Sequence, residues 1–240
     1  MERLDDLGRA GFKIIQLPGE ATFSLDAVLL AHFVRTGAGD ALCDLGTGVG
    51  VIPLLMVARG KVSTAAGVEI RADLAELADR NARLNKVEGA IRVFRADLRT
   101  VTWSDLGRRG PFDVVTANPP FRQPGTGRVS PVESRAAARH ELDCTLEDVA
   151  QAAHRLVRSG GRVGLVHLAE RLVDVLSALR GEGLEPKRMR VVRARPGGRA
   201  KLVLVEARAG GHGGLTVEPD LVVRDKDGDY TAEMKAIYDH

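Results

Sequence analysis

Short apolar runs alternate along the chain with stretches of helical period. Residues 41–45 read as a buried strand and 51–59 as a helix; 65–69 read as a second strand. Over 71–84, Leu74, Leu77, Ala78 and Leu84 recur near the 3.6-residue period of an amphipathic helix. Strands are predicted at 91–96 and 112–117. A helix is predicted at 146–157, with Thr145 as N-cap and Gly160-Gly161 as its stop. A strand at 162–167 and a helix at 169–180 follow. Residues 188–194 and 201–207, joined through Pro196-Gly197-Gly198, predict a hairpin. Such repeated units predict an α/β, doubly wound, mostly parallel sheet, with the terminal hairpin placing a reversed strand in it. Around that domain, 41–209, lie an N-terminal extension, 1–40, with a helix at 26–36, and a packed tail, 210–240, with a short strand at 221–224.

Composition narrows the class. Hydrophobic residues make up 44% of 240, so a sizeable core is available. Mean hydropathy is −0.08, and no apolar run reaches the ~20 residues that span a bilayer. Met1–Asp6 lacks the basic and apolar regions of a signal peptide, so a cytoplasmic location is expected. Cys43 and Cys144 stand alone, which argues against a disulfide framework and a zinc site, and no metal is expected. A net charge of +3 and a pI of 9.1 are mildly basic, compatible with a nucleic-acid partner.

The strongest local feature is Asp44-Leu45-Gly46-Thr47-Gly48-Val49-Gly50, between the first buried strand and its helix. Glycines there permit positive φ and close approach of a ligand to backbone, and the helix N-terminus adds free N–H donors. The dinucleotide fingerprint is G-x-G-x-x-G; here the third glycine position holds Val51. An acid beside the loop, Asp44, repels a pyrophosphate but suits the ammonium of an amino acid, which favours S-adenosyl-L-methionine. Glu69 ends the second strand, placed for ribose hydroxyls, and Asp97 ends the third, placed for an adenine amino group. Thr47, Ile70 and Leu98, beside these groups, complete the candidate cofactor set.

The fourth strand runs directly into Asn118-Pro119-Pro120-Phe121, the most specific motif in the chain. An exocyclic amine on a conjugated ring is a poor nucleophile because its lone pair is delocalised. Two acceptors gripping its N–H bonds, the Asn118 side-chain oxygen and the Pro119 carbonyl, favour a pyramidal nitrogen. Consecutive prolines pre-organise the turn. Phe121 would stack on a flat acceptor, worth ~1–3 kcal/mol per base. Transfer from a sulfonium needs no metal and no strong base, and orientation alone can supply ~7–11 kcal/mol of barrier reduction.

With these residues in place the chain resembles the Rossmann-like class I methyltransferases, and more closely the bacterial tRNA adenine-N6 methyltransferases acting on a valine tRNA. Asp44–Gly50 and Asn118–Phe121 match the broad superfamily. Phe12–Gln16, Phe23–Leu30, Ala138–Glu141, Cys144–Val149 and Glu185–Arg190 look like the narrower family, and the likeness runs from about Arg3 to Tyr238. The resemblance implies a seven-stranded sheet with a reversed terminal hairpin, S-adenosylmethionine as donor, and N6 of the adenine just 3′ of the anticodon, adenine 37, as acceptor. It assigns Asp44, Gly46, Glu69, Asp97 and Asn118 to cofactor or acceptor. Many relatives carry Tyr where this chain has Phe121; stacking survives that change, and any hydroxyl contact is lost.

The motif around Asn118 serves other planar amines too, so guanine N2 in rRNA and glutamine N5 in a protein remain alternatives. So does a cofactor-binding RNA assembly factor without turnover. Arg122, Arg128, Arg135 and Arg139 follow the motif in a loop that can meet phosphates or simply be solvated. Lys187, Arg188, Arg190, Arg193, Arg195, Arg199 and Lys201 form the densest basic stretch. If alternate residues share a face, Arg188, Arg190 and Arg193 can line an RNA backbone; the alternative is a charged edge. His140 reads as structural, Asp26 as a helix cap, and Cys43 and Trp103 as packing residues.

Overall fold

Five consecutive residues buried on both faces, Ala41–Leu45, form a strand that belongs in the interior of a parallel sheet. The computed structural model describes residues 2–8, 11–17, 24–37, 39–120 and 144–239. Its strands are β1 (Arg3–Asp6), β2 (Lys13–Gln16), β3 (Ala41–Leu45), β4 (Thr64–Glu69), β5 (Ile91–Arg95), β6 (Phe112–Ala117), β7 (Val157–Leu168), β8 (Leu184–Arg193), β9 (Ala200–Ala209) and β10 (Thr216–Val222). Its helices are α1 (Leu25–Phe33), α2 (Val51–Ala58), α3 (Ala72–Leu84), α4 (Leu146–Leu156), α5 (Leu172–Gly181) and α6 (Ala232–Asp239).

The main sheet has the order β10-β8-β9-β7-β6-β3-β4-β5. Only β9 runs against its neighbours. The chain leaves β3 toward β4 and β5, then returns to pair β6 on the other side of β3, so the switch point of the sheet lies between β3 and β6. One face is covered by α1, α2, α3 and α6, burying Leu29, Leu30, Leu54, Met56 and Met234. The other is covered by α4 and α5, burying Val149, Leu156 and Leu179 against Cys43, Val115 and Val205. Among the described residues no helix is long and apolar enough to cross a membrane.

Beyond shifted ends and the unpredicted α6, three differences from the sequence reading bear on the sheet and its flanks. The sheet has eight strands rather than seven, because β10 adds in parallel to the outer edge of β8. Most of β10 is exposed, so it carries little alternation, and the pairing shifts register around Pro219, which has no N–H to donate. Second, α4 ends at Leu156, ahead of Gly160-Gly161, and those glycines lie inside β7. A side chain at Gly161 would stand 2.9 Å from the Asp113 carbonyl, where the β6–β7 pairing shifts register. Third, β1 and β2 form a separate antiparallel hairpin. Asn81 and Asn85 of α3 hold it: Asn81 Oδ1 accepts from Ile15 N–H at 2.7 Å, and Asn85 Oδ1 from Lys13 N–H at 2.8 Å.

Candidate functional site

The glycine loop after β3 is tied to the end of β4. Gly46 and Thr47 N–H both donate to the Val68 carbonyl, at 2.9 and 3.0 Å, and Gly48 N–H donates to Glu69 Oε2 at 2.9 Å. Gly46, Gly48 and Gly50 all have positive φ. Nothing lies within 4 Å of where a side chain would begin at Gly46 or Gly48, so the loop presents bare backbone to open space. Gly50 instead packs on α3, where a Cβ would stand 3.3 Å from that of Ala78. Gly67 in β4 leaves room for Thr47.

Asp44 is 2% exposed, and Thr116 Oγ1 on β6 donates to its Oδ1 at 2.6 Å. Burial pushes its carboxyl up to about 7; the hydroxyls of Thr116 and Thr47 pull the other way, and the charge of Glu69 adds to the rise. Such a carboxyl accepts a cation once ionised. Glu69, 7% exposed, already accepts from Gly48 N–H and, through Oε1, from Arg71 N–H at 2.9 Å. It braces the loop, and a carboxylate still has lone pairs for hydroxyl donors. Ile70 follows it at the rim.

Asp97 lies beyond β5 and is engaged by its neighbour: Arg99 Nη2 donates to Oδ2 at 2.6 Å, and Arg99 N–H to Oδ1 at 2.9 Å. The Arg99 guanidinium holds its carboxyl below the usual range. Leu98 packs against the core, and its carbonyl accepts from Arg155 Nη2 at 2.6 Å. The bare backbone, the enclosed acid and Glu69 together form a cradle that fits an amino-acid nucleoside such as S-adenosylmethionine.

Asn118 and Pro119, partly buried, and exposed Pro120 leave β6 at its carboxyl end. Asp44 pairs with Thr116 in register, so Asn118 follows one residue beyond the Leu45–Ala117 pair at the mouth of the glycine loop. The crevice thus gathers Asp44, Gly46, Thr47, Gly48, Glu69 and Asn118. Phe121, Arg122, Arg128, Arg135, Arg139 and His140 lie outside the described residues.

The strand-borne arginines have partners inside the chain. Arg188 and Arg190 do share a face of β8, but α1 and α6 cover that face. Arg188 binds Glu206 and Glu218 at 3.1 and 2.7 Å and stacks over Phe33. Arg190 Nη2 donates to Glu233 Oε2 at 2.8 Å. Arg193 pairs with Asp220. Their side chains are 12, 15 and 31% exposed, which leaves little of them for a phosphate to meet. Asp26 sits in the first turn of α1, and Ser24, not Asp26, is the N-cap. Cys43 is fully buried, and Trp103 packs against the core.

Two contributors escaped the sequence reading. Thr116 is the one hydroxyl in an otherwise apolar strand end. Asn81 interrupts the apolar stripe of α3, is fully buried, and donates to the Ile15 and Val49 carbonyls at 3.0 Å, joining the N-terminal hairpin to the glycine loop. A polar residue at a core position is the signal that marks both.

The family Methyltransferase small domain matches residues 24–178. A tRNA1(Val) (adenine(37)-N6)-methyltransferase of Porphyromonas gingivalis is 29% identical over 187 residues, 76% of this chain and 72% of that one. The protein of the same name from Tolumonas auensis is 28% identical over 220 residues, 89% of this chain and 86% of that one. A crystal structure of a predicted O-methyltransferase from Agrobacterium tumefaciens superposes with a TM-score of 0.70 at 22% identity, over 89% of this chain and 95% of that one, a likeness of fold.

Proposed function

The chain belongs to the methyltransferase small domain family, and from that premise we propose that it methylates N6 of an adenine in tRNA, with adenine 37 of a valine tRNA as the finer target. The observation that carries the reading is the junction of β3 and β6, where the enclosed acid Asp44 is hydrogen-bonded to the strand that delivers Asn118-Pro119. The similarity to a relative of this name extends over most of both chains. A tRNA substrate also implies action in the cytoplasm.

When bound, S-adenosylmethionine supplies a methyl group on a positively charged sulfur. The chain's residues bind and orient. Asp44 meets the amino-acid ammonium, and the bare backbone of Gly46 and Gly48 lets the ligand lie close. Glu69 accepts from ribose hydroxyls with its remaining lone pairs, and Asp97 shares its carboxylate between Arg99 and an adenine amino group. Ile70 and Leu98 would supply apolar contact for the donor's nucleoside. The Asn118 side-chain oxygen and the Pro119 carbonyl accept the two N–H bonds of the target amine and hold its lone pair toward the methyl group. Its surplus proton passes to water. An unpaired anticodon-loop base is easily splayed into such a crevice.

Incubation of the protein with labelled donor and total tRNA, followed by nucleoside mass analysis, should yield N6-methyladenosine. Asn118→Ala should lower turnover by on the order of 10²-fold or more while donor affinity stays within a few-fold. Label appearing instead in rRNA guanine or in a protein glutamine would replace the adenine assignment. Donor binding without turnover on any of the three would leave a non-catalytic binding factor, and undiminished turnover in Asn118→Ala would remove Asn118 from the acceptor site.

A further inference from the structure

From the tip of the β8–β9 hairpin we infer a docking surface for the RNA phosphate backbone, formed by Arg195, Arg199 and Lys201 rather than by the arginines on the strand itself. The inference rests on the tRNA reading above and concerns where the nucleic acid outside the crevice is held.

Strand direction places the tip. Strand β8 runs parallel to β3 and β6, so the turn that follows it lies on the side of the sheet where the glycine loop and Asn118 emerge. Register gives its height. Ala117 is level with Leu165 of β7, whereas Leu168, three residues on, pairs with Leu202 of β9. Leu202 therefore stands ~10 Å beyond the end of β6, and the tip rises further. Between β6 and β9 lies only β7, a lateral separation of ~10 Å. The hairpin is thus a wall at one flank of the crevice, tall enough to meet a chain whose base is inserted beside it.

The wall's chemistry is cationic and solvent-facing. The turn is closed by Gly198 N–H donating to the Arg195 carbonyl at 3.1 Å, with Gly197 at positive φ, so its conformation is set by backbone and its side chains are left outside. Arg195, Arg199 and Lys201 are exposed. Arg199 meets Glu170 at 3.3 Å, with both side chains mostly in water (79 and 61% exposed), a pair worth little and easily exchanged for a phosphate. Among the described residues Arg195 and Lys201 have no acidic partner. Of the neighbouring acids, Asp220 is paired with Arg193, and Asp225, Asp227 and Asp229 stand in a turn that also carries Arg224 and Lys226. Asp225 accepts from the N–H groups of Asp227 and Asp229 at 3.0 Å. Three unpaired or weakly paired cations and no aromatic side chain in residues 194–201 suit a phosphodiester backbone better than a base or an apolar peptide.

The test replaces Arg195, Arg199 and Lys201 together by Ser and measures tRNA binding by fluorescence anisotropy between 50 and 200 mM salt. The comparison variant loses the same charge at the opposite end of the sheet, through Arg180→Ser, Lys187→Ser and Arg208→Ser. The tip variant should bind tRNA at least tenfold more weakly at the lowest salt, with a log–log salt slope shallower by about 2 to 3. Its KM for tRNA should rise more than its kcat falls. The comparison variant should keep the wild-type slope. A tip variant with an unchanged slope, in a wild type that methylates tRNA, overturns the docking surface and leaves the adenine reading standing. A wild type that methylates a protein and not RNA overturns both.

Discussion

With its carboxyl enclosed and Thr116 as its donor, Asp44 changes charge at a pH of about 7. Two consequences have opposite signs. In the free protein the folded state keeps the proton longer than the unfolded chain does. Stability from this group is therefore full below pH 4 and is lost as pH rises through about 7, by at most ~1.4 kcal/mol per unit. For a cationic ligand the order reverses, because only the carboxylate attracts an ammonium. Donor affinity should fall as pH drops from 8 to 6, with proton release on binding measurable by calorimetry in buffers of different ionisation enthalpy. Thr116→Val removes the bond that favours the charged form. It should weaken donor binding about tenfold at pH 7, the worth of one hydrogen bond to a charged group, and move the titration upward. A pH-independent dissociation constant would detach Asp44 from the ammonium. The acids Asp44 and Glu69 were legible in the sequence because each ends a strand beside the glycine loop. Thr116, Asn81 and the capture of Asp97 by Arg99 were not, because they depend on which side chains face each other across separate elements.

Elements with enclosed faces were read most closely. For β3 and β6 the predicted and observed bounds coincide, since continuous apolar runs leave a buried strand little freedom. The strands β1 and β2 are short, most of β10 is exposed, and all three are held by partners distant in sequence, so local pattern left the hairpin unread and caught only the end of β10, in the strand expected at 221–224. Helix ends depend on similar distant partners. Lys61 reaches from beyond α2 to the end of α1, where its Nζ donates to the Ala31, His32 and Val34 carbonyls at 3.1, 2.7 and 2.9 Å. These are carbonyls a helix C-terminus leaves without backbone partners, and the cation also complements the helix dipole. Lys61→Met keeps the apolar stem and removes all three donors. Urea unfolding should show a loss of ~1–3 kcal/mol with donor affinity intact. A midpoint equal to wild type would mean that water caps α1 as well as Lys61 does.

At the scale of the whole molecule, the arginines carried by β8 itself, among the basic residues that suggested a nucleic-acid partner, tie the fold together. Arg188 and Arg190 join β8 to β9, β10 and α6, and Arg80 joins α3 to Glu2 near the first strand. The C-terminal segment takes part in the same closure. Leu221, Val223, Met234 and Ile237 belong to the cluster that contains Leu30, Leu54 and Met56, and Arg59 Nη2 donates to the Ile237 carbonyl at 2.6 Å. A segment so embedded should melt with the sheet. Met234 is fully buried, and Met234→Ala removes most of a side chain from the interior at a cost of ~2–5 kcal/mol. If residues 210–239 share one cooperative unit with the sheet, circular dichroism and the fluorescence of Trp103, which packs on the opposite face, should report one common transition shifted to lower denaturant. Two separated transitions, with Trp103 unaffected by the first, would show instead that the C-terminal segment is a cover that opens without the sheet.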